Sequence, residues 1–430
     1  MDLCTIVARN YLPYARVLAD SFLDHHPGST CHVLVLDGPQ PADEPAHVRY
    51  WTPETVAIPD LPELTASYEI TELATAVKPA FLARLLAETQ DVIYLDPDIR
   101  IYAPLTTVVE QLERAPIVLN PHLAQPLPDD GEHPDDQDIL LAGAYNLGFL
   151  ALRRGTETDR LLAWWSRRLK DACRIDIPAG LFVDQRWIDL VPGLFDVAIL
   201  RDPGCNVAYW NLPHRVLRRD GDRVLVNGEP LRFFHFSGFD RAHPDRLSRH
   251  QTRDLVSRDE VLAQLLRAYA AEVGTVAATM PETASAPYGF ARLPNGMALT
   301  YVVRAGYRRW RREGAREDVW SAAGAAALAR WLGEPEPRAP PGVSRFLHEL
   351  RAARRDLLDA FPADADGAER YLRWVHERGV VEVDIPKQFL PAAPGGAAVI
   401  MGVSVRRRVY RVRHATRLIA KRALLRYERR

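Results

Sequence analysis

A chain of 430 residues, 47% apolar and 26% charged, exceeds one ordinary hydrophobic core and has the composition of a folded protein, so two domains are expected. The 55 Lys and Arg nearly balance the 56 Asp and Glu, which argues against dedicated nucleic-acid binding by the whole chain. The cysteines Cys4, Cys31, Cys173 and Cys205 form no zinc-finger ladder, the start Met1-Asp2-Leu3-Cys4-Thr5 lacks the pattern of a signal peptide, and no uncharged apolar run reaches the roughly 18–20 residues of a membrane span. A soluble cytoplasmic protein is expected, at most held peripherally on the inner face of a membrane.

Leu3 to Ala8 is an apolar run suited to a buried strand, and Pro13 then opens a helix whose Tyr14, Val17, Leu18, Ser21 and Phe22 share a face. His32 to Leu36 predicts a second strand, closed by the turn pair Asp37-Gly38. A helical stretch over Ala74–Glu88 is interrupted near Pro79. Asp91–Leu95 and Ile117–Leu119 read as strands, and Asn120–Asp138, rich in Pro, Asp and His, as a solvated loop or a lid. Strand character returns over Tyr145–Leu152, followed by a helix with Trp164 and Trp165. Arg218–Phe236 reads as a hairpin turning at Asp220-Gly221-Asp222, with a second turn at Asn227-Gly228. This alternation of short buried strands and helices predicts an α/β sheet with helices on both faces, assigned to residues 1–275. Beyond it, helical spacing without strand-like runs marks a mainly helical accessory domain at 276–395, with helices over Gly324–Leu332 and Val343–Phe361. A strongly basic segment, 396–430, follows, and over Arg406–Arg430 its Arg and Lys interleave with aliphatic residues. It suits a solvated tail, an anionic membrane surface or, less well, nucleic acid.

Three separated elements carry chemistry. Val92-Ile93-Tyr94-Leu95 ends in Asp96-Pro97-Asp98, two carboxylates whose relative positions the proline restricts. Phe233-Phe234-His235-Phe236 ends in Ser237-Gly238, and between them lies Val183-Asp184-Gln185. Carboxylates and imidazole suit a borderline divalent cation, which a diphosphate-bearing substrate requires. Each feature also has a plain structural explanation: a turn or helix cap for Asp96 and Asp98, a satisfied sheet-end histidine for His235, and a helix cap for Asp184. Arg241, Arg249 and Arg253 follow the histidine and suit contact with phosphates or a solvated loop. Asn206, Tyr209, Trp210 and Asn211 suit either sugar stacking or a packed loop.

Over roughly residues 1–255 these motifs resemble retaining glycosyltransferases of GT-A (Rossmann-like) fold, most closely the glycosyltransferase family 8 type. The resemblance implies a metal-binding Asp-x-Asp and His-x-x-Gly at Asp96, Asp98 and His235 to Gly238. It implies donor contacts at Val7, Ala8, Arg9, Asn10 and Tyr11, around Leu95-Asp96-Pro97-Asp98, and at Gly238. The family's Asn-x-Gly matches Asn146-Leu147-Gly148, and its sugar-binding Asp-Gln matches Asp184-Gln185, giving Asp184, Gln185 and Asn146 as catalytic candidates. The family's phosphate-binding Lys-Pro-Trp is replaced by Phe239-Asp240-Arg241, so Arg241, Arg249 or Arg253 takes over; Lys78 is a further donor-side candidate. The implied cofactor is Mn²⁺ or Mg²⁺, the donor a nucleotide-diphosphate sugar (a UDP-sugar favoured), and the acceptor a carbohydrate or lipid-linked hydroxyl. Three other functions compete. A phosphohydrolase also places Asp-x-Asp after a strand, but Ile99-Arg100 follow here in place of its usual Thr or Val. A sugar nucleotidylyltransferase needs a Gly-rich N-terminal loop that is missing. A non-catalytic carbohydrate-binding or scaffolding protein would not need Asp96, Asp98, Asp184 and His235 together.

Overall fold

The computed structural model describes residues 1–38, 45–383 and 385–391. The chain forms two compact units: the first comprises Met1–Leu61 and Ile70–Tyr288, the second Pro62–Glu69 and the described residues from Gly289 onward. The expected boundary at 275 falls inside a helix, Glu260–Thr279, that belongs wholly to the first unit.

The first unit is built on a seven-stranded sheet. Its strands are β1 (Asp2–Val7), β2 (Cys31–Val35), β3 (Val48–Trp51), β4 (Asp91–Leu95), β6 (Ile117–Leu119), β7 (Phe149–Arg153) and Val197–Ile199; β5 (Ile99–Ile101) lies outside it. The spatial order is Val197–Ile199, β6, β7, β4, β1, β2, β3. All neighbours are parallel except β7, which runs antiparallel to both β4 and β6. The expected α/β sheet is therefore present. Cys31–Val35 is buried at every position, as a strand covered on both faces requires. Leu12–His25 takes Pro13 in its first turn, where a missing N–H costs nothing, and buries Ala15, Leu18, Ala19 and Phe22.

Several local expectations change. The helical stretch before β4 is two helices, Ile70–Ala76 and Lys78–Leu86, because Pro79 fits only the first turn of the second. The expected hairpin at Arg218–Phe236 ends early: Leu217–Asp220, Arg223–Val226 and Glu229–Pro230 form one small antiparallel sheet. Phe233–His235 leaves it to pair with β5, which carries its two phenylalanines into full burial. The loop after β6 is exposed over 124–126 and 128–132, as a solvated loop should be, but it is anchored. Asn120 and His122 are buried, and Arg253 ties its tip through a two-pronged contact with Asp130 and bonds to the Glu132 and Pro134 carbonyls. No helix among the described residues is long and apolar enough to cross a membrane. The basic stretch Arg406–Arg430 lies outside the described residues.

The second unit is helical, as expected, and four of its helices start on side-chain caps: Thr300, Ser321, Ser344 and Asp364 each accept a first-turn N–H. The expected helical group Val343–Phe361 is two helices, Arg345–Ala352 and Arg355–Ala360. The unit also captures an early segment. Ala66 packs in the same core as Val303, Leu328 and Phe346, and the almost fully buried Arg304 donates to the carbonyls of Thr65 (2.6 Å), Phe290 (2.9 Å) and Leu299 (3.0 Å). Hydrogen bonds to a buried charge contribute about 1.5–3 kcal/mol each, and truncation strands the carbonyls. Arg304→Met should therefore destabilise this unit by at least about 3 kcal/mol, read as a lower denaturant midpoint; an unchanged midpoint would dismiss Arg304 as the anchor of Pro62–Glu69.

Candidate active site

Parallel strands deliver their carboxyl ends to one edge of a sheet, and ligands of open α/β sheets bind there. Here β4 ends at Leu95, and the tight Asp96-Pro97-Asp98 turn (Ile99 N–H to Asp96 O, 3.2 Å) leads straight into β5. β5 pairs antiparallel with Phe233–His235, His235 opposite Ile99, and the Phe236 N–H bonds the Asp98 carbonyl at 2.8 Å. This pairing sets His235 beside the two carboxylates. Its Nε2 lies 3.1 Å from Asp98 Oδ1 and 3.8 Å from Asp96 Oδ2, and the three groups can offer ligand atoms within 4.8 Å of one another. Two carboxylate oxygens and an imidazole nitrogen are a donor set whose chemistry fits Mn²⁺ or Mg²⁺.

The surrounding residues hold these groups. Tyr94 donates to Asp96 Oδ1 at 2.7 Å, while the other oxygen, Oδ2, is the one paired with His235. Gly148 lies directly underneath, and its carbonyl accepts the Asp96 N–H at 2.9 Å. A Cβ at Gly148 would come within 2.4 Å of the His235 ring and 2.9 Å of both Asp96 Oδ2 and Asn146 Oδ1. Desolvation raises the Asp96 carboxyl, opposed by Lys78 and His235. Burial also acts to raise Asp98, but its charge and hydrogen-bond contact with His235 outweighs it and holds the group below the ordinary range. Burial would lower His235; the Asp98 partner more than offsets that and raises it.

Behind this set lies a buried ion pair. Lys78 Nζ is 2.6 Å from Asp184 Oδ2, donates to the Leu147 carbonyl at 2.9 Å, and sits 4.0 Å from the centre of the Tyr94 ring. Lys78 and Asp184 are each 1% exposed, and burial raises the Asp184 carboxyl despite the lysine. Asp184 follows Val183, a β-branched residue at φ 43°, a conformation that costs about 1–3 kcal/mol and persists only where its surroundings impose it. Gln185 is a clamp: its Oε1 accepts the Leu147 N–H at 3.0 Å and its Nε2 donates to the Ala142 carbonyl at 2.9 Å. Asn146 joins a chain of buried amides with Asn120 and Asn206.

The structure thus gathers Lys78, Leu95, Asp96, Pro97, Asp98, Asn146, Asp184, Gln185 and His235 into one region. The β1 end reaches the same sheet edge. Val7 and Ala8 are buried, and the Arg9 N–H donates to Asp37 Oδ1 at 2.8 Å. Asn10, Tyr11, Tyr14 and Arg241 line a pocket of about 190 Å³ with Val273 and Ala277. Arg253 is committed to Asp130, and Arg249 is exposed, donating to His250. Of the three arginines, only Arg241 lines this pocket. At Gly238 the need for glycine is explained within the chain: its φ is 70°, and a Cβ would meet His250 at 2.3 Å and Ser248 at 2.7 Å. Asn206, Trp210 and Asn211 are buried, and Trp210 stands edge-on to His235 and His122, so these are framework residues rather than an open stacking platform. Tyr94, Asn120 and His122 were not legible as part of this region; they are single polar groups in a strand and a loop. A second group, His133, Asp135 and Asp138, is also close-set, but Asp135 and Asp138 cap a helix reciprocally.

No protein-family profile matches the chain. It is 31% identical over 189 residues to the uncharacterized protein YfnF of Bacillus subtilis (strain 168), a match covering 41% of this chain and 60% of that relative. It is 25% identical over 248 residues to YfnD of the same bacterium, covering 55% and 76%. The chain therefore spans 60% of the length of YfnF. Among solved structures, the galactosyltransferase LgtC, in complex with donor and acceptor sugar analogs, overlaps with a TM-score of 0.36 at 19% identity, over 62% of this chain and 96% of that one. The apo form of mouse xyloside xylosyltransferase 1 overlaps with a TM-score of 0.32 at 14% identity, over 54% and 96%. Overlaps of this extent leave the topology to be read from the sheet itself.

Two outcomes follow from the geometry. Gly148→Ala should leave the protein folded but weaken Mn²⁺ binding at least 10-fold in a paramagnetic-resonance titration, since its methyl group occupies space held by His235 and Asp96; wild-type affinity would mean the three groups are not a unit. Burial lowers His122 to about 4, so between that value and the ordinary 6.5 the unfolded chain binds a proton that the folded one does not. This part of the stability is complete above about pH 6.5 and is lost as pH falls toward 4, on the order of 3 kcal/mol in all. Denaturant midpoints of His122→Gln should show a correspondingly shallower acid dependence than wild type.

Proposed function

We propose that the chain is a retaining glycosyltransferase of GT-A fold, which moves a sugar from a nucleotide-diphosphate sugar, a UDP-sugar by preference, to an acceptor hydroxyl. The observation that supports this best is the convergence of Asp96, Asp98 and His235 at the carboxyl edge of a mostly parallel sheet, with Asp184 held behind them by Lys78. The matching order of motifs supports the same reading. A divalent cation held by Asp96, Asp98 and His235 would neutralise the diphosphate and make it a better leaving group.

In this reading the chain's own residues do the rest. Tyr11, 43% exposed and stacked on Tyr14, offers a ring face to the base, while Val7, Ala8, Arg9 and Asn10 shape the turn beneath it. Arg241, with Arg249 beyond it, supplies positive charge for the phosphates in place of the family's lysine. Asn146, Asp184 and Gln185 form the wall facing the donor sugar. Asp184 Oδ2 is committed to Lys78, which suits a group that orients the sugar and steadies positive charge at its reacting carbon, and suits a mobile general base poorly. Retention then needs no carboxylate base: the acceptor approaches from the leaving-group face, and a departing phosphate oxygen takes the hydroxyl proton. Arg406–Arg430 holds the enzyme on an anionic membrane surface near a lipid-linked acceptor.

Turnover of a UDP-sugar panel, with the product linkage assigned by NMR, tests the reaction: transfer should require Mn²⁺ or Mg²⁺ and keep the anomeric configuration, and an inverted or metal-independent product sinks the proposal. Asp184→Asn should lower turnover at least 100-fold while UDP affinity stays near wild type. Membrane attachment is checked separately. A chain ending before Arg406 should no longer sediment with phosphatidylglycerol vesicles at low salt, whereas the full chain should do so and be released as salt screens the contact. Equal sedimentation of both would remove the membrane role.

A further inference from the structure

Asn206 is fully buried, sits at φ 52° in the left-handed region that asparagine tolerates, and touches His235 on the side away from the carboxylates. Its hydrogen bonds have one consistent polarity, set at the far end by a group that can only accept. Asn120 Nδ2 donates to the Leu200 carbonyl at 2.8 Å, so Asn120 Oδ1 faces Asn206 as an acceptor. Asn206 Nδ2 then spends its two hydrogens on Asn120 Oδ1 (3.0 Å) and Asn146 Oδ1 (3.1 Å). That leaves Asn206 Oδ1, a pure acceptor, 3.2 Å from His235 Nδ1. The Nδ1 nitrogen therefore carries a hydrogen; Nε2, 3.1 Å from Asp98 Oδ1, donates to that carboxylate when the ring is protonated, and Asn206 then directs the ring to lose the Nε2 hydrogen, leaving a lone pair toward Asp98 and Asp96, when it becomes neutral. The backbone around Asn206 is pinned as well: Asn211 Nδ2 donates to the Asn206 carbonyl at 2.9 Å, and the Val207 N–H bonds the Phe233 carbonyl at 3.1 Å.

We infer that Asn206 is a positioning residue that fixes the His235 tautomer, so that Nε2 is a ready ligand, with the orientation relayed from the Leu200 carbonyl through Asn120. The inference rests on the proposed metal role of His235 for its purpose, but not for its test. Histidine-selective ¹⁵N NMR, with the His235 signals assigned by their loss in His235→Gln, reports the tautomer directly at a pH where the ring is neutral and again with diamagnetic Mg²⁺. Wild type should show hydrogen on Nδ1 and none on Nε2; the opposite tautomer overturns the inference whatever the protein binds. Asn206→Leu should allow the Nε2–H form and weaken Mn²⁺ binding by about 10–100-fold, measured by paramagnetic resonance. Asn206→Asp still accepts from Nδ1 and should keep the tautomer even though it loses both amide donors. A merely structural asparagine would lower stability in both variants and leave the tautomer alone, which would also overturn the inference. If neither variant folds, the wild-type spectrum and Asn120→Leu, which frees the amide orientation from one remove, decide it. Wild-type protein that binds no Mn²⁺ yet shows the Nδ1–H tautomer would end the metal reading while leaving the role of Asn206 intact.

Discussion

Three residues on each side, Phe233–His235 against Ile99–Ile101, pair to make the candidate site a place rather than a list of motifs. A slip of one residue in that register would turn His235 to the opposite face and carry it away from Asp98. The register is held by more than its own few hydrogen bonds. Phe233 stacks on Phe149 of β7 with ring centres 5.8 Å apart, and the Val207 and His235 N–H groups bond across to carbonyls of the neighbouring segment. Gly148 completes the constraint by leaving room for the His235 ring. Changes in this small region therefore affect ligand geometry before they affect the sheet.

The same region concentrates choices that a chain selected for stability alone would avoid. The Lys78–Asp184 pair is almost fully buried, and such pairs commonly contribute less than well-packed apolar residues of equal volume. A ladder of asparagines occupies buried space where aliphatic side chains would cost less to desolvate, and Val183 and Asn206 both adopt positive φ. Several local rules broken together around one set of convergent polar groups are what a functional site looks like.

What the sequence disclosed follows the range of the interactions involved. Asp91–Leu95 and Ile117–Leu119 read to the residue, because continuous apolar runs bounded by polar groups have few other uses. β3 went unread: Val48–Trp51 contains Arg49, whose guanidinium covers Trp51 at 4.3 Å, so the strand looks polar until its fold is known. Asp96, Asp98 and His235 were legible by type and by position after apolar runs. Lys78 was visible only as one reading of a helix-surface lysine, since its partner lies in another part of the chain. Gln185 reads as a sugar-binding catalytic candidate, whereas its amide spans Leu147 and Ala142; only the fold reveals that both ends are used. The capture of Pro62–Glu69 by Arg304 left no periodic trace, because its bonds go to main-chain carbonyls that every residue has.

Asp96, Asp98 and His235 are proposed together to hold a divalent cation for a nucleoside diphosphate. A crystal grown with UDP and Mn²⁺, measured at the manganese absorption edge, addresses it most directly. The proposed reading requires one anomalous peak in contact with Asp96 Oδ2, Asp98 Oδ1, His235 Nε2 and diphosphate oxygens. A peak at His133, Asp135 and Asp138 instead, or bound UDP with no manganese beside the three groups, would contradict it.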